Sequence, residues 1–110
     1  MADDVILVFT TVPDAATARR IAATILANRV AACVNMMAPC TSIYHWEGQL
    51  EESSEVPLLI KSTGRCYAAL EQMISAEHPY RVPEIVAVPI QSGLESYLDW
   101  IASEVSPGEQ

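Results

Sequence analysis

The stretch Thr41–Thr63, TSIYHWEGQLEESSEVPLLIKST, decides the fold. Its first arm is rich in Ile, Tyr, Thr and Trp, the residue types that fit a pleated, half-buried surface. Glu47-Gly48 is the best turn signal in the chain, because glycine supplies a positive φ without steric cost. The return arm is polar near the turn and apolar at its base, Val56–Ile60. Upstream, Val30–Trp46 (VAACVNMMAPCTSIYHW) lacks a helical stripe. It reads as one long strand kinked or bulged at Pro39, since proline cannot donate to a ladder. The second and third strands thus form a hairpin that outruns the core of a 110-residue domain. Its far end projects, and Ile43, Tyr44, Trp46 and Leu50 need another chain to cover them.

The flanking segments supply the rest. Asp4–Val12 (DVILVFTTV) is a short β-branched run and reads as a buried strand. Pro13-Asp14 opens a helix that runs to about Asn28, with Ala18, Ile21, Ala22, Ile25 and Leu26 on one stripe. Gly64–His78 reads as a second helix, capped by Thr63 and stopped by Pro79. Glu84–Gln91 (EIVAVPIQ) is the fourth strand, and a short third helix follows with Leu94, Tyr97, Leu98 and Ile101 on its inner side. The order β-α-β-β-α-β plus a terminal helix is the split βαβ pattern of an α+β, ferredoxin-like sandwich. Both main helices cover one face of the antiparallel sheet. The other face is open and again calls for a partner.

Composition bounds the function. One domain spans residues 1–110, and its 51% hydrophobic content marks a folded chain. Net charge is −8, from 6 Lys+Arg against 14 Asp+Glu, which argues against a nucleic-acid partner. The first residues lack a secretory pattern and no apolar run approaches a membrane span, so the expected compartment is the cytoplasm. Cys33, Cys40 and Cys66 form no CxxC and read as free thiols. There is no GxSxG, P-loop, HExxH or GxGxxG, so neither an enzyme nor an organic cofactor is expected.

Several blocks, LANRVAACVNM, TSIYHWEGQLEESSEV, LLIKST and HPYRVPEIVAVPI, together resemble the CutA family, named for divalent-cation tolerance. The likeness runs from Thr11-Val12-Pro13-Asp14 to YLDWI. It implies a cytoplasmic homotrimer shaped like the P-II signalling proteins, its sheets packed around a three-fold axis and its hairpins reaching neighbouring subunits. It also implies binding of copper(II) or another divalent cation near subunit junctions. The rival implication is a signalling or scaffold trimer that takes a small anionic ligand or a protein partner in clefts between subunits. Three positions depart from relatives. Thr10 stands where some carry a cysteine proposed as a copper ligand, Glu77 replaces the first of two histidines, and Arg81 follows the Pro-Tyr where acidic or polar residues are frequent.

The candidate metal ligands are His78, Glu55, Glu77 and Cys40. His78 also fits a helix C-terminus, the commoner reading, where a histidine favours the negative end of the dipole. Among the hairpin carboxylates, Glu51 and Glu52 read as a solvated tip; Glu55 sits where the strand re-enters its apolar base. Cys40, beside Pro39, is the best candidate for a reactive or metal-binding thiol, against the commoner buried structural cysteine. For an anionic ligand the candidates are Lys61, the only lysine in the chain, with Tyr80 and Arg81. Lys61 also fits a strand-end rim position. Tyr44, Trp46 and Tyr80 read as interface aromatics with a polar handle.

Overall fold

Strand β1 (Val5–Val12) leads into helix α1 (Ala15–Ala27). Asp14 caps that helix by accepting the Thr17 amide at 2.8 Å, and this bond above all holds its carboxyl below the ordinary value. Strands β2 (Cys33–Met36), β3 (Cys40–Trp46) and β4 (Gln49–Thr63) follow, then helix α2 (Tyr67–Glu77), strand β5 (Ile85–Pro89) and helix α3 (Glu95–Glu104). This computed structural model describes residues 4–106. The sheet is antiparallel, ordered β2-β4-β1-β5, with β3 paired to the outer half of β4. The architecture is the expected α+β, ferredoxin-like one.

Alternation assigns the two faces. Val8 and Val12 of β1, with Val56, Leu58 and Ile60 of β4, turn toward the helices and form one core with Ile21 and Ile25 of α1 and Leu70 and Ile74 of α2. Each such aliphatic side chain contributes about 1.5–3 kcal/mol by leaving water. The register lays two rows across the opposite face: Cys33, Lys61, Leu7, Val88, and Asn35, Leu59, Phe9, Val86. Val86 and Val88 there are exposed. Helix α3 packs on β4 and β1, and its Tyr97 meets the Cys33 thiol, so this face is covered in part. Of its four expected inward residues only Ile101 is fully buried; Leu94 and Tyr97 are exposed.

Two local expectations are corrected. The single strand over Val30–Trp46 is two strands, because four steps from Met36 to Cys40 oppose three from Leu58 to Glu55. The extra residue is a bulge centred before Pro39, closed by Met37 N–H donating to the Pro57 carbonyl at 2.9 Å. The second helix starts later than Gly64. A 3-10 turn, Gly64–Cys66, precedes it, and Thr63 makes no capping bond; its hydroxyl is buried without a partner. The hairpin itself is as expected. Trp46 pairs with Gln49 across Glu47-Gly48, both at positive φ (51° and 82°), a type I′ turn. It stretches the molecule to 46 Å along one axis against 28 and 23 Å on the others.

Candidate functional site

The cleft that collects most of the candidate residues lies where the base of the hairpin meets the loop after α2. Proline makes that loop: Pro79 stops α2, and His78, at its C-cap, is extended at ψ 134°. The chain turns back through Tyr80–Glu84 and enters β5 at Ile85. Tyr80 is thereby carried over β4, where its hydroxyl donates to Glu55 Oε2 at 2.9 Å. The resulting cleft holds about 660 Å³ and is walled by Thr11, Ser42, Ile43, Tyr44, Trp46, Glu55, Tyr80, Arg81, Val82 and Glu84.

Glu55 is the chemical centre. It is only 6% exposed, yet its donor is a neutral phenol. Neither the Arg20–Glu77 nor the Arg29–Glu104 ion pair involves Glu55, whose hydrogen-bond donor is the Tyr80 phenol. Burial first, and the Glu55 hydrogen bond and charge second, push the Tyr80 phenol up to about 12. Tyr80 therefore stays a proton donor across the ordinary pH range. On the far wall Glu84 lies 3.5 Å from the Thr11 hydroxyl.

His78 is placed for structure. It is 7% exposed, with Nε2 2.7 Å from the Thr11 carbonyl and Nδ1 accepting the Tyr80 amide at 3.1 Å. A carbonyl only accepts, so Nε2 carries the proton and the Nδ1 lone pair is spent on Tyr80. No ring nitrogen is left to a metal while both bonds stand. Its ring lies 4.8 Å from that of Tyr80. Glu77 points the other way, to α1: it takes Arg20 at 3.3 Å and the Thr24 hydroxyl at 2.5 Å. The expected grouping of His78, Glu77, Glu55 and Cys40 thus divides. Among the described residues no three His, Cys, Asp or Glu side chains converge as a metal-holding group.

Cys40 and Glu55 are brought together. They are direct partners in the β3–β4 register, so their side chains share one face at the roughly 5 Å typical of such pairs. Cys40 is exposed and its thiol lies 3.9 Å from the Ser42 hydroxyl. Lys61 is separated from Tyr80 and Arg81: it sits on the open sheet face, bonded to Asn35 and 3.9 Å from the Cys33 thiol. The exposed Ile43, Tyr44 and Trp46 line the cleft, while Leu50 stands out near the hairpin tip. Glu84 and Thr11 were not anticipated as wall residues. The available signal was the second proline of PYRVPE, which fixes Glu84 at the mouth of β5, level with the end of β1.

No helix of the described residues is long and apolar enough to cross a membrane. The sequence matches the family model described as CutA1 divalent ion tolerance protein over residues 6–104. It is 46% identical over 99 residues to the divalent-cation tolerance protein CutA of Thermus thermophilus, covering 90% of this chain and 94% of that one. CutA1 from Oryza sativa superposes at a TM-score of 0.92 with 35% identity, covering 96% of both chains. The periplasmic divalent cation tolerance protein CutA from Archaeoglobus fulgidus does so at 0.89 with 35% identity, covering 93% of this chain and 99% of its own. The projecting hairpin, the ferredoxin-like sheet and a sequence match through both agree, and the chain belongs to the CutA1 family of divalent ion tolerance proteins.

Proposed function

We propose that the protein serves divalent-cation tolerance as a cytoplasmic homotrimer, binding copper(II) or a similar cation at subunit junctions and catalysing no reaction. The observation that carries this reading is the register pairing of Cys40 with Glu55. It gives one chain a thiol and a carboxylate side by side, a borderline-soft donor pair suited to copper or zinc. Two donors do not close a site, and a tetrahedral centre wants about four. A second copy is the natural source of the remainder.

Assembly is supported by apolar surface that one copy leaves bare. Val86 and Val88 on the open sheet face, and Ile43 and Leu50 on the hairpin, are each at least half exposed. The cytoplasm is supported by Cys33, Cys40 and Cys66, all free thiols. The rival reading, a signalling or scaffold trimer that takes a small anionic ligand or a protein partner in clefts between subunits, rests on Lys61 and Arg81; one chain places them on different surfaces, so a shared site would draw them from two copies.

Calorimetric titration of Cu(II) and Zn(II) tests the metal reading. Cys40→Ser and Glu55→Gln are each expected to weaken binding about tenfold, roughly 1.4 kcal/mol. His78→Ala, folded, is expected to keep it. Equal, millimolar binding by the wild type and all three variants would refute a site at Cys40 and Glu55.

A further inference from the structure

Away from the cleft, the pairing of β2 with β4 sets Cys33 directly opposite Lys61, 28 positions later in sequence. Both point to the sheet face opposite the core. Asn35, two residues along β2 and so on the same face, accepts a hydrogen bond from the Lys61 ammonium. That contact holds Nζ over β2, 3.9 Å from the Cys33 sulfur. Thiol and amine are both half-buried. The cover over them is the chain's own, because Tyr97 of α3 hydrogen-bonds to the thiol. The bare Val86 and Val88 lie on β5, at the far edge of the sheet from β2.

Oxidants select thiols that are part-exposed and beside a cation, and the first product is a sulfenic acid. A sulfenic acid condenses with the nucleophile nearest to it, ordinarily a second thiol. Neither of the other thiols is in reach. Cys40 pairs with Glu55, six residues along β4 from Lys61, which is about 20 Å at the rise of a strand. Cys66 is fully buried in the core on the other side of the sheet. The Lys61 amine is in reach. We infer that hydrogen peroxide joins Cys33 to Lys61 through a sulfur–nitrogen bond, a reversible covalent staple between β2 and β4. Peroxide gives one oxygen to the thiol, leaving a sulfenic acid and one water; the sulfur is oxidised by two electrons and the peroxide reduced. Lys61 first yields a proton to solvent, and the lone pair of the neutral amine then attacks the sulfur. The nitrogen–sulfur bond forms, the sulfur–oxygen bond breaks, and the hydroxide leaves with an amine proton as a second water. Two molecules of a small thiol reverse the link, restoring thiol and amine and departing as their disulfide. The staple fixes the four-residue edge strand β2 and removes the charge of the chain's only lysine.

The sequence supplies the readout. Trypsin cuts after Arg29, Lys61 and Arg65, so Cys33 and Lys61 fall in one peptide, Val30–Lys61. The intact assembled protein is treated with hydrogen peroxide, digested without reductant and analysed by mass spectrometry. The link is expected to abolish cleavage at Lys61, giving Val30–Arg65 joined internally between Cys33 and Lys61 with the loss of two hydrogens. Dithiothreitol is expected to restore Val30–Lys61. The link should form faster as the pH is raised, because only the neutral amine is a nucleophile. Cys33→Ser is expected to abolish the block, and so is Lys61→Arg, which keeps the charge and the tryptic site. Cys40→Ser is expected to leave the block unchanged, which separates the link from the proposed metal pair. Lys61 cleaved as before in the peroxide-treated wild type would overturn the inference, whether Cys33 is then untouched, held as an oxidised acid or bonded to Cys40. A block that persists in Cys33→Ser would overturn it equally.

Discussion

Tyr80 and Glu55, 25 positions apart in sequence, are joined by a 2.9 Å hydrogen bond that closes the loop after α2 onto β4. The same tyrosine gives its amide to His78, which in turn is fixed to the Thr11 carbonyl. Loop, hairpin base and first strand therefore form one continuous hydrogen-bonded unit beneath the cleft.

The first consequence is a titration. Tyr80 is raised from 10.0 to about 12 by burial and by Glu55. Below pH 10 folded and unfolded chains both keep this proton, and the stabilisation is fully present. Between about 10 and 12 the unfolded chain loses the proton while the folded chain holds it, so stability falls as pH rises through that window. Absorbance titration of the wild type against Tyr80→Phe should show the phenolate that appears near pH 12 missing from the variant. Tyr80→Phe should also cost about 1–3 kcal/mol in denaturant unfolding, because a buried carboxylate loses its donor. A variant as stable as the wild type, with an unchanged titration, would contradict the role given to this bond.

A second consequence concerns Thr10. It is fully buried in β1 and its hydroxyl has no hydrogen-bond partner. Valine has nearly the same shape and no polar atom to desolvate. Thr10→Val is expected to stabilise the fold by about 1–2 kcal/mol, read as an increased denaturant midpoint with an unchanged slope. Destabilisation would show that the hydroxyl has a partner in the protein in solution.

Much of the fold was legible because its signals are local. Glu47-Gly48 between two β-rich arms forces a hairpin, and Asp14 after Pro13 forces a helix start. The bulge at Met37–Pro39 was only half legible. Proline announces an interruption, but whether a strand bends or ends depends on register against β4, a partner some 20 residues away. The candidate site was less legible still. His78 and Glu77 are adjacent in sequence and suggest a shared ligand set. A helix C-terminus sends successive side chains in different directions, and here one goes to β1 and the other to α1. Cys40 and Glu55, 15 apart, are neighbours only through pairing.

Val86 stands at the end of the row Asn35, Leu59, Phe9, Val86 and is 50% exposed in the single chain. If three copies meet through this face, light scattering of the wild type should give three times the 12.0 kDa chain mass. Val86→Asp places a charge where apolar surface would be covered and should shift the mass toward the monomer. The monomeric variant should keep wild-type far-ultraviolet circular dichroism, since Val86 faces away from the core. A wild type that scatters as a monomer at micromolar concentration would overturn the trimer.

The hairpin tip offers a stability test independent of the cleft. Glu47 has φ 51°, in the left-handed region that a non-glycine side chain enters at a cost of about 1–2 kcal/mol. Asparagine tolerates that region better, and Asn-Gly is the favoured type I′ pair. Glu47→Asn is therefore expected to raise the melting temperature, and Gly48→Ala, at φ 82°, to lower it by the equivalent of about 1 kcal/mol. A Cβ at Gly48 meets no atom within 4 Å, so a loss there comes from backbone strain and not from a clash. If Gly48→Ala melts with the wild type, the tip is not held in the I′ geometry, and the register that pairs Cys40 with Glu55 loses one of its anchors.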